Sequence, residues 1–265
     1  MAIVTLTTDW GTKDHYLGSV KGSLLKHIPN VTIINISHDI PPFDINQAAY
    51  VVRSCYRDFP DGTIHLIGVN SDASPKYPHI AIRIDNQYFI GADNGIFSLI
   101  FDKQPDKIIA LEIIQDTEKY TFSTKDVFVK ACQKIVEGTP IEELGFERND
   151  LTKMMSFTPV IETEEDGSSS IMGKVVYVDR YENASTNISR QLFYSQGQKR
   201  DFKISFNSFK NLITEISESY SDVSISEACA LFDSNDMLEI SVNQGNAGSL
   251  LGLHHDTKIR ITFDS

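Results

Sequence analysis

An aspartate directly after the first predicted strand is the first side chain that could do chemistry. Asp9 lies in Thr7-Thr8-Asp9-Trp10-Gly11-Thr12, after an apolar run over residues 2–7. Ligands of open parallel sheets bind at the carboxyl ends of the strands, where a carboxylate can accept the paired hydroxyls of a ribose. The other interpretation is that Asp9 caps the turn that follows it. The spacing alone leaves both open.

A second candidate segment follows a later strand. Residues 69–75, Val-Asn-Ser-Asp-Ala-Ser-Pro, are small and turn-forming. Loops in this position often carry function, although an ordinary solvated turn has the same composition. Residues 91–95 indicate a turn that starts a helix, and residues 122–126 a helix cap. The seven histidines lack zinc-site spacing, and the sequence contains neither Gly-x-Ser-x-Gly nor Gly-x-Gly-x-x-Gly. We therefore expect no metal, acyl-transfer or dinucleotide site.

The elements that must position these residues alternate between apolar strands and amphipathic helices. Strands are predicted at 2–7, 31–36, 64–69, 79–84 and 88–90. Helices are predicted at 17–28, at 45–55 with Asp44 as N-cap, and from Thr124 to Gly138. This order is typical of an α/β domain with a largely parallel sheet flanked by helices.

The second half reads as a separate, β-rich domain. Residues 162–170 are acidic and then Gly/Ser-rich, which predicts a linker between domains at 1–161 and 171–265. Strands are predicted at 173–178, 202–206, 237–242 and 258–263, with one helix near 207–217. The pattern favours a small all-β barrel or sandwich.

Composition narrows the class of protein. The chain has 265 residues and a formal net charge of -12, with a pI near 5.0, which argues against a nucleic-acid partner. No apolar stretch approaches the roughly 20 residues of a membrane-spanning helix. Three dispersed cysteines read as reduced thiols. With no basic leader before the first strand, we expect a cytoplasmic protein.

Several motifs, taken in order, resemble one family. They are residues 6–12 with Asp14, 37–45 (Ser-His-Asp-Ile-Pro-Pro-Phe-Asp-Ile), 59–63, 88–95, 178–183 with 186–188, and 238–247. Together they resemble the S-adenosylmethionine hydroxide adenosyltransferase family, whose halide-using branch contains the fluorinases and chlorinases. An ordered set of this length is far more specific than any one motif.

The resemblance implies a β-barrel as the C-terminal domain, and a homotrimer whose sites form where the N-terminal domain of one subunit meets the C-terminal domain of a neighbour. It implies S-adenosylmethionine as substrate or ligand, with no further cofactor. Asp9 would hold the ribose hydroxyls, Tyr181 would stack on adenine, and Asp179 would face the methionine end. The implied binding residues are Asp9, Asp14, Phe43, Asp179, Tyr181, Asn183, Ser234, Asn235, Val242 and Gln244.

The sequence departs from the family at the catalytic positions. Hydrolases of the family carry Asp, Arg and His where this chain has Asn70, Tyr77 and Ser123. None of these three replacements is a general base near pH 7. The halogenase pattern does not fit either.

The sequence is compatible with three functions. They are hydrolysis of S-adenosylmethionine to adenosine and methionine, binding without catalysis, and adenosyl transfer to another nucleophile. Asp72, Lys76 and His79 in the same segment are either substitutes for the missing groups or solvated loop residues.

Overall fold

The computed structural model describes residues 2–113, 122–155, 157–165, 167–198, 200–207 and 212–265. The chain divides into two compact units, Met1–Met155 and Ser156–Ser265. The division comes a few residues before the boundary predicted from composition.

The first unit is built on a seven-stranded sheet. Its strands are β1 (Ile3–Thr8), β2 (Thr32–Ser37), β3 (Ile64–Gly68), β4 (His79–Ile84), β5 (Gln87–Ala92), β6 (Lys107–Leu111) and β7 (Gly145–Glu147). Their order in the sheet is β2-β1-β3-β5-β4-β6-β7. The pairs β1–β2, β1–β3 and β3–β5 are parallel, whereas β4–β5, β4–β6 and β6–β7 are antiparallel. The sheet is therefore mixed, and the prediction of a largely parallel sheet is correct only for the β2-β1-β3-β5 part.

A tight hairpin explains the first antiparallel pair, β4–β5. Only Asp85 and Asn86 separate β4 from β5, with φ of 52° and 58°. Consecutive left-handed residues form the two-residue turn that joins antiparallel strands. A parallel connection needs about a dozen residues or more, so this segment cannot provide one.

Helices cover both faces of this sheet. They are α1 (His15–His27), α2 (Ile45–Cys55), α3 (Ile96–Ile100) and α4 (Val129–Val136). Val20 and Leu24 of α1 share one buried cluster with residues of α4, and α2 and α3 share a second cluster that includes Phe89. Asp44 is the predicted N-cap of α2, and its carboxylate accepts from the N–H groups of Asn46 and Gln47.

The second unit is a nearly closed antiparallel barrel. Its strands are β8 (Val160–Thr163), β9 (Ser169–Val178), β10 (Ala184–Ser189), β11 (Phe202–Phe206), β12 (Leu212–Ile213), β13 (Ala228–Phe232), β14 (Met237–Val242) and β15 (Lys258–Phe263). They run in the order β12-β11-β15-β9-β10-β14-β13, with β8 beside β9. Two short helices, α5 (Arg190–Gly197) and α6 (Ala247–Leu251), complete the unit.

Two predictions for this unit are wrong. Residues 162–170 are not a linker between domains, because they include the end of β8 and the start of β9. These two strands pair antiparallel, from Val160↔Met172 to Thr163↔Ser169. The helix expected near 207–217 is not seen in the described part of that range, where Leu212–Ile213 is a strand; residues 208–211 lie outside the described residues. Within the described ranges, no helix is both long and apolar enough to cross a membrane.

Candidate functional site

In the first unit, the carboxyl ends of three neighbouring parallel strands bring separate loops together. β1 pairs with β2 on one side and with β3 on the other. The strand order therefore switches sides at β1, and open α/β sheets form a ligand-binding crevice at such a switch point. Asp9 follows β1, and its Oδ2 accepts from the N–H of Phe43 at 2.9 Å and of Asn70 at 3.4 Å. This carboxylate thus fastens two loops that lie far apart in sequence.

Both loops have unusual backbone conformations at these contacts. Phe43 has φ of 67° and Asn70 has φ of 44°, in the left-handed region that non-glycine residues rarely occupy. The Asn70 carbonyl accepts from the side chain of Asn94 at 2.9 Å. Such strain persists only where surrounding contacts hold it, and it is common at ligand sites.

The Trp10 ring packs against Gly68, the last residue of β3. A Cβ on Gly68 would lie 2.7 Å from the Trp10 ring, so the last residue of β3 must be glycine for the indole to pack there. The ring also meets Phe122 edge-on, with centroids 5.5 Å apart.

The three positions expected to correspond to the hydrolase Asp, Arg and His have different surroundings. Asn70 is exposed, Tyr77 is half-buried beneath the Lys76 ammonium at 4.8 Å, and Ser123 is 4% exposed. Ser123 precedes a π-helical turn, Thr124–Phe128. The Thr124 hydroxyl donates to that of Ser71 at 3.4 Å, which joins this turn to the loop after β3. Asn70 and Ser123 thus lie on loops that contact each other.

His79 is part of the structure of this loop. Its Nε2 is 2.9 Å from the Ser71 carbonyl oxygen, and Phe128 packs edge-on against its ring at 4.9 Å. A carbonyl can only accept, so Nε2 carries the proton. Burial lowers the pKa of His79, which keeps the ring neutral. Asp72 and Lys76, the other two possible substitutes, are exposed.

His38 contacts the residues on both sides of Asp9 along the chain. Its Nδ1 is 2.8 Å from the Thr8 hydroxyl, and its carbonyl accepts from the Gly11 N–H at 2.9 Å. The ring is 6% exposed and Nε2 has no hydrogen-bond partner among the described residues. Burial lowers the pKa of His38, so the ring is neutral.

A pocket of about 710 Å³ lies in the second unit. Its walls come from the turn after β9, the end of β14, and a short helical turn, Tyr220–Asp222. The lining residues are Asp179, Arg180, Tyr181, Asn183, Tyr220, Val242, Asn243, Gln244, Gly245 and Asn246. The volume suits a nucleoside-sized ligand.

Asp179 organises one wall of this pocket. Its Oδ1 accepts from the N–H groups of Tyr181 at 2.9 Å and Asn183 at 2.8 Å, and its Oδ2 accepts from the Asn183 side chain at 3.1 Å. Glu182 has φ of 62°, and its carboxylate accepts from the Ser249 N–H at 2.7 Å. These contacts present the Tyr181 ring, 76% exposed, at the rim.

Three of the predicted binding residues are not brought to these groups. Ser234 and Asn235 lie in the turn after β13 and are not among the lining residues of the pocket. Asp14 is exposed at the start of α1, and its side chain makes no capping hydrogen bond. Their roles stay predictions.

The pocket also contains residues that the sequence did not assign to ligand binding, among them Arg180, Tyr220 and Asn243. Tyr220 follows Ser219, which forms a capping box with Asp222. The Ser-x-x-Asp spacing was a usable signal that an aromatic residue is displayed on a turn. Asn243 donates to the Val223 carbonyl at 2.8 Å and so holds the segment that carries Tyr220.

No group of three or more His, Cys, Asp or Glu side chains in the described part of the chain is placed to hold a metal ion. The polar groups of the pocket are instead the Asp179 carboxylate, the Arg180 guanidinium, several side-chain amides and the phenols of Tyr181 and Tyr220, beside the apolar Val242. These groups can stack on a flat ring and hydrogen-bond its edge.

Known proteins share both units. A (R)-S-adenosyl-L-methionine hydrolase of Methanocaldococcus jannaschii is 29% identical over 98% of this chain and 96% of its own length. A Thermus thermophilus protein of the same name is 26% identical over 98% of this chain and its whole length, and more distant relatives are named fluorinase. A solved structure of an uncharacterized conserved protein from Thermotoga maritima superposes with a TM-score of 0.86 at 28% identity, covering 98% of this chain and 99% of that protein.

Family models give the same result for each unit separately. The SAM hydroxide adenosyltransferase N-terminal domain matches residues 4–145, which include Asp9, Phe43 and Asn70. The C-terminal domain of that family matches residues 173–260, which include the whole pocket. Since the two matches span most of the chain in the order of the units, the protein belongs to the SAM hydroxide adenosyltransferase family.

Proposed function

We propose that this protein binds S-adenosylmethionine and cleaves it at C5′ with water, giving adenosine and methionine. The observation that carries the proposal is the pocket, where Tyr181, Asn183 and Val242 line one cavity in a chain whose relatives are named for this hydrolysis. In the reaction, a water oxygen forms a bond to C5′ as the C5′–S bond breaks. The sulfonium leaves as the neutral thioether of methionine, and the water releases one proton.

Binding would supply most of the catalysis. The exposed Tyr181 ring would stack on adenine, the Asn183 amide would bond its edge, and Oδ1 of Asp9 would accept a ribose hydroxyl. Because the leaving group departs neutral, holding water and C5′ in line outside bulk solvent provides much of the rate. The His79 ring has a buried structural role, so we assign it no proton transfer.

A second function is favoured by one observation. Asn70, Tyr77 and Ser123 supply no general base or permanent charge at the hydrolase positions. A binder or sensor of S-adenosylmethionine or adenosine would keep the pocket and lack turnover. Product analysis by chromatography separates this function from the first, since a sensor yields no adenosine above the protein-free rate.

Tyr181→Ala is expected to weaken adenosine binding about fivefold or more, because loss of a stacked aromatic ring costs about 1–3 kcal/mol per base. The ring is 76% exposed, so the melting temperature should not change. Titration calorimetry measures the affinity. Tyr181→Phe keeps the ring and should bind like the wild type. Equal affinities for all three proteins would remove Tyr181 from the site.

We further propose a homotrimer with shared sites. Phe43 and Tyr181, which we assign to ligand binding, are 71% and 76% exposed within their own units. Closed rings suit an interface formed by two different surfaces of the same chain. Light scattering should give three times the 29.7 kDa chain mass.

A mixing experiment tests the sharing directly. Asp9→Ala and Tyr181→Ala chains are each expected to bind poorly. If they are unfolded and refolded together in equal amounts, about a quarter of the sites should receive an intact residue from each of two chains. Binding that never recovers in the mixed protein would mean that each site belongs to one chain.

A further inference from the structure

Glu239 is a carboxylate inside the second unit. It lies in β14, opposite Ser185 of β10 and Leu231 of β13, and it is only 6% exposed. Side chains alternate along a strand, so Leu238 and Ile240 enter the barrel core while Glu239 and Ser241 lie on the opposite face. That face is covered by the segment that carries Tyr220.

Hydrogen bonds connect this carboxylate to the pocket wall. Its Oε1 accepts from the Tyr220 hydroxyl at 3.0 Å and from the Ser241 hydroxyl at 2.7 Å. Tyr220 lines the pocket. Only the Tyr220 side chain therefore separates the Glu239 carboxyl group from a ligand bound in the pocket.

The surroundings of Glu239 do not favour its charge. Burial is the largest cause that raises its pKa, and the carboxylates of Asp233 and Asp179 raise it further, against the two hydroxyl donors. Cys229 and Tyr220 lie close to Glu239 and have raised pKa values, so both are neutral near pH 7. Two further charged groups are near: the Asp222 carboxylate, which raises the pKa of Cys229, and the Arg180 guanidinium, which lines the pocket.

This charge works against folding. The native state holds the Glu239 proton more tightly than the unfolded chain does. The resulting stability is complete below the unfolded pKa and is lost as pH rises through the folded pKa. A buried charge that lowers stability points to a role other than folding.

We propose that Glu239 is a positioning and specificity residue of the pocket, which fixes the Tyr220 phenol and makes the pocket prefer a cationic ligand over a neutral one. The proposal rests on the proposed function, because it takes this pocket to bind S-adenosylmethionine. The substrate carries a sulfonium charge and adenosine carries none. A negative charge behind the wall attracts the substrate and has no charge to attract in the product.

Glu239→Gln tests the proposal because it keeps Oε1 as an acceptor and removes the charge. At pH 8, we expect affinity for S-adenosylmethionine to fall about fivefold, with adenosine affinity changed less than about twofold. Glu165→Gln makes the same charge change at an exposed position in the same unit and should alter neither. In the wild type, the ratio of the two affinities should rise with pH as Glu239 ionises, and in Glu239→Gln it should stay flat.

The outcomes are distinguishable by calorimetry. An equal loss of affinity for both ligands in Glu239→Gln would mean that Glu239 has only a structural role. A wild-type affinity ratio that does not change with pH would also overturn the proposal. The pH dependence of the wild-type ratio needs no variant, so a Glu239→Gln chain that misfolds leaves the test intact. A wild-type protein that binds neither ligand would overturn the proposed function itself.

Discussion

A chain that carries Asn70→Asp, Tyr77→Arg and Ser123→His together is expected to release adenosine from S-adenosylmethionine at least about a hundredfold faster than the wild type. A positioned acid or base typically contributes 10²–10⁴-fold, and oriented charges contribute comparably. The wild-type groups supply neither at neutral pH. Single-turnover assays with chromatographic detection of adenosine measure the change.

The three single variants are the matched controls. Groups that act as a unit are strongly non-additive, so each single variant should stay near the wild-type rate. Ser123 is only 4% exposed, and a histidine there must displace its neighbours; thermal denaturation should therefore be recorded for every variant. A folded triple variant without a rate increase would mean that these positions do not activate water.

Asp9→Ala is expected to weaken adenosine and S-adenosylmethionine binding at least tenfold. A charge-assisted contact to the ribose hydroxyls is worth roughly 1.5–3 kcal/mol. The effect should exceed that of the lost contact alone, since the same carboxylate holds the N–H groups of Phe43 and Asn70. Asp39→Ala removes an exposed carboxylate nearby and serves as the control. Calorimetry that finds the same affinity in both variants would remove Asp9 from the site.

The first unit was predictable where local chemistry determines the structure. Asp44 caps α2 as its position before an apolar periodic run predicts. The parallel pairing of β1 with β2 and β3 was predictable, because helices separate these strands in sequence and a helical crossover joins parallel strands. The antiparallel half was missed, although Asp85-Asn86 between two apolar runs is a hairpin signal.

The second unit shows why composition misleads at a sheet edge. All four residues of β8 are exposed, so the strand has no buried apolar face. Its last two residues, Glu162 and Thr163, begin the acidic stretch that the composition predicts as a linker. The helix α5 begins at Ser189, whose hydroxyl accepts from the Leu192 N–H at 3.1 Å. Ser189 is a residue type that commonly caps helices, but no helix is predicted there from the sequence.

The site was only partly predictable for a topological reason. The resemblance identified Asp179, Tyr181 and Val242, and the structure gathers them in one pocket. Tyr220 and Glu239 meet only because β13 and β14 pair antiparallel and return the chain to the same place. Tyr220 lies outside the family motifs, Glu239 lies in the 238–247 motif without an assigned role, and no periodicity predicts a hydrogen bond between residues nineteen positions apart.

The most direct test of the proposed function is the fate of S-adenosylmethionine incubated with the purified wild-type protein in ¹⁸O-labelled water. We predict adenosine with one labelled oxygen on C5′, together with methionine, formed well below the turnover of about 10 per second of an ordinary enzyme. Substrate recovered intact, at the rate of a protein-free control, would contradict hydrolysis and leave a binding protein.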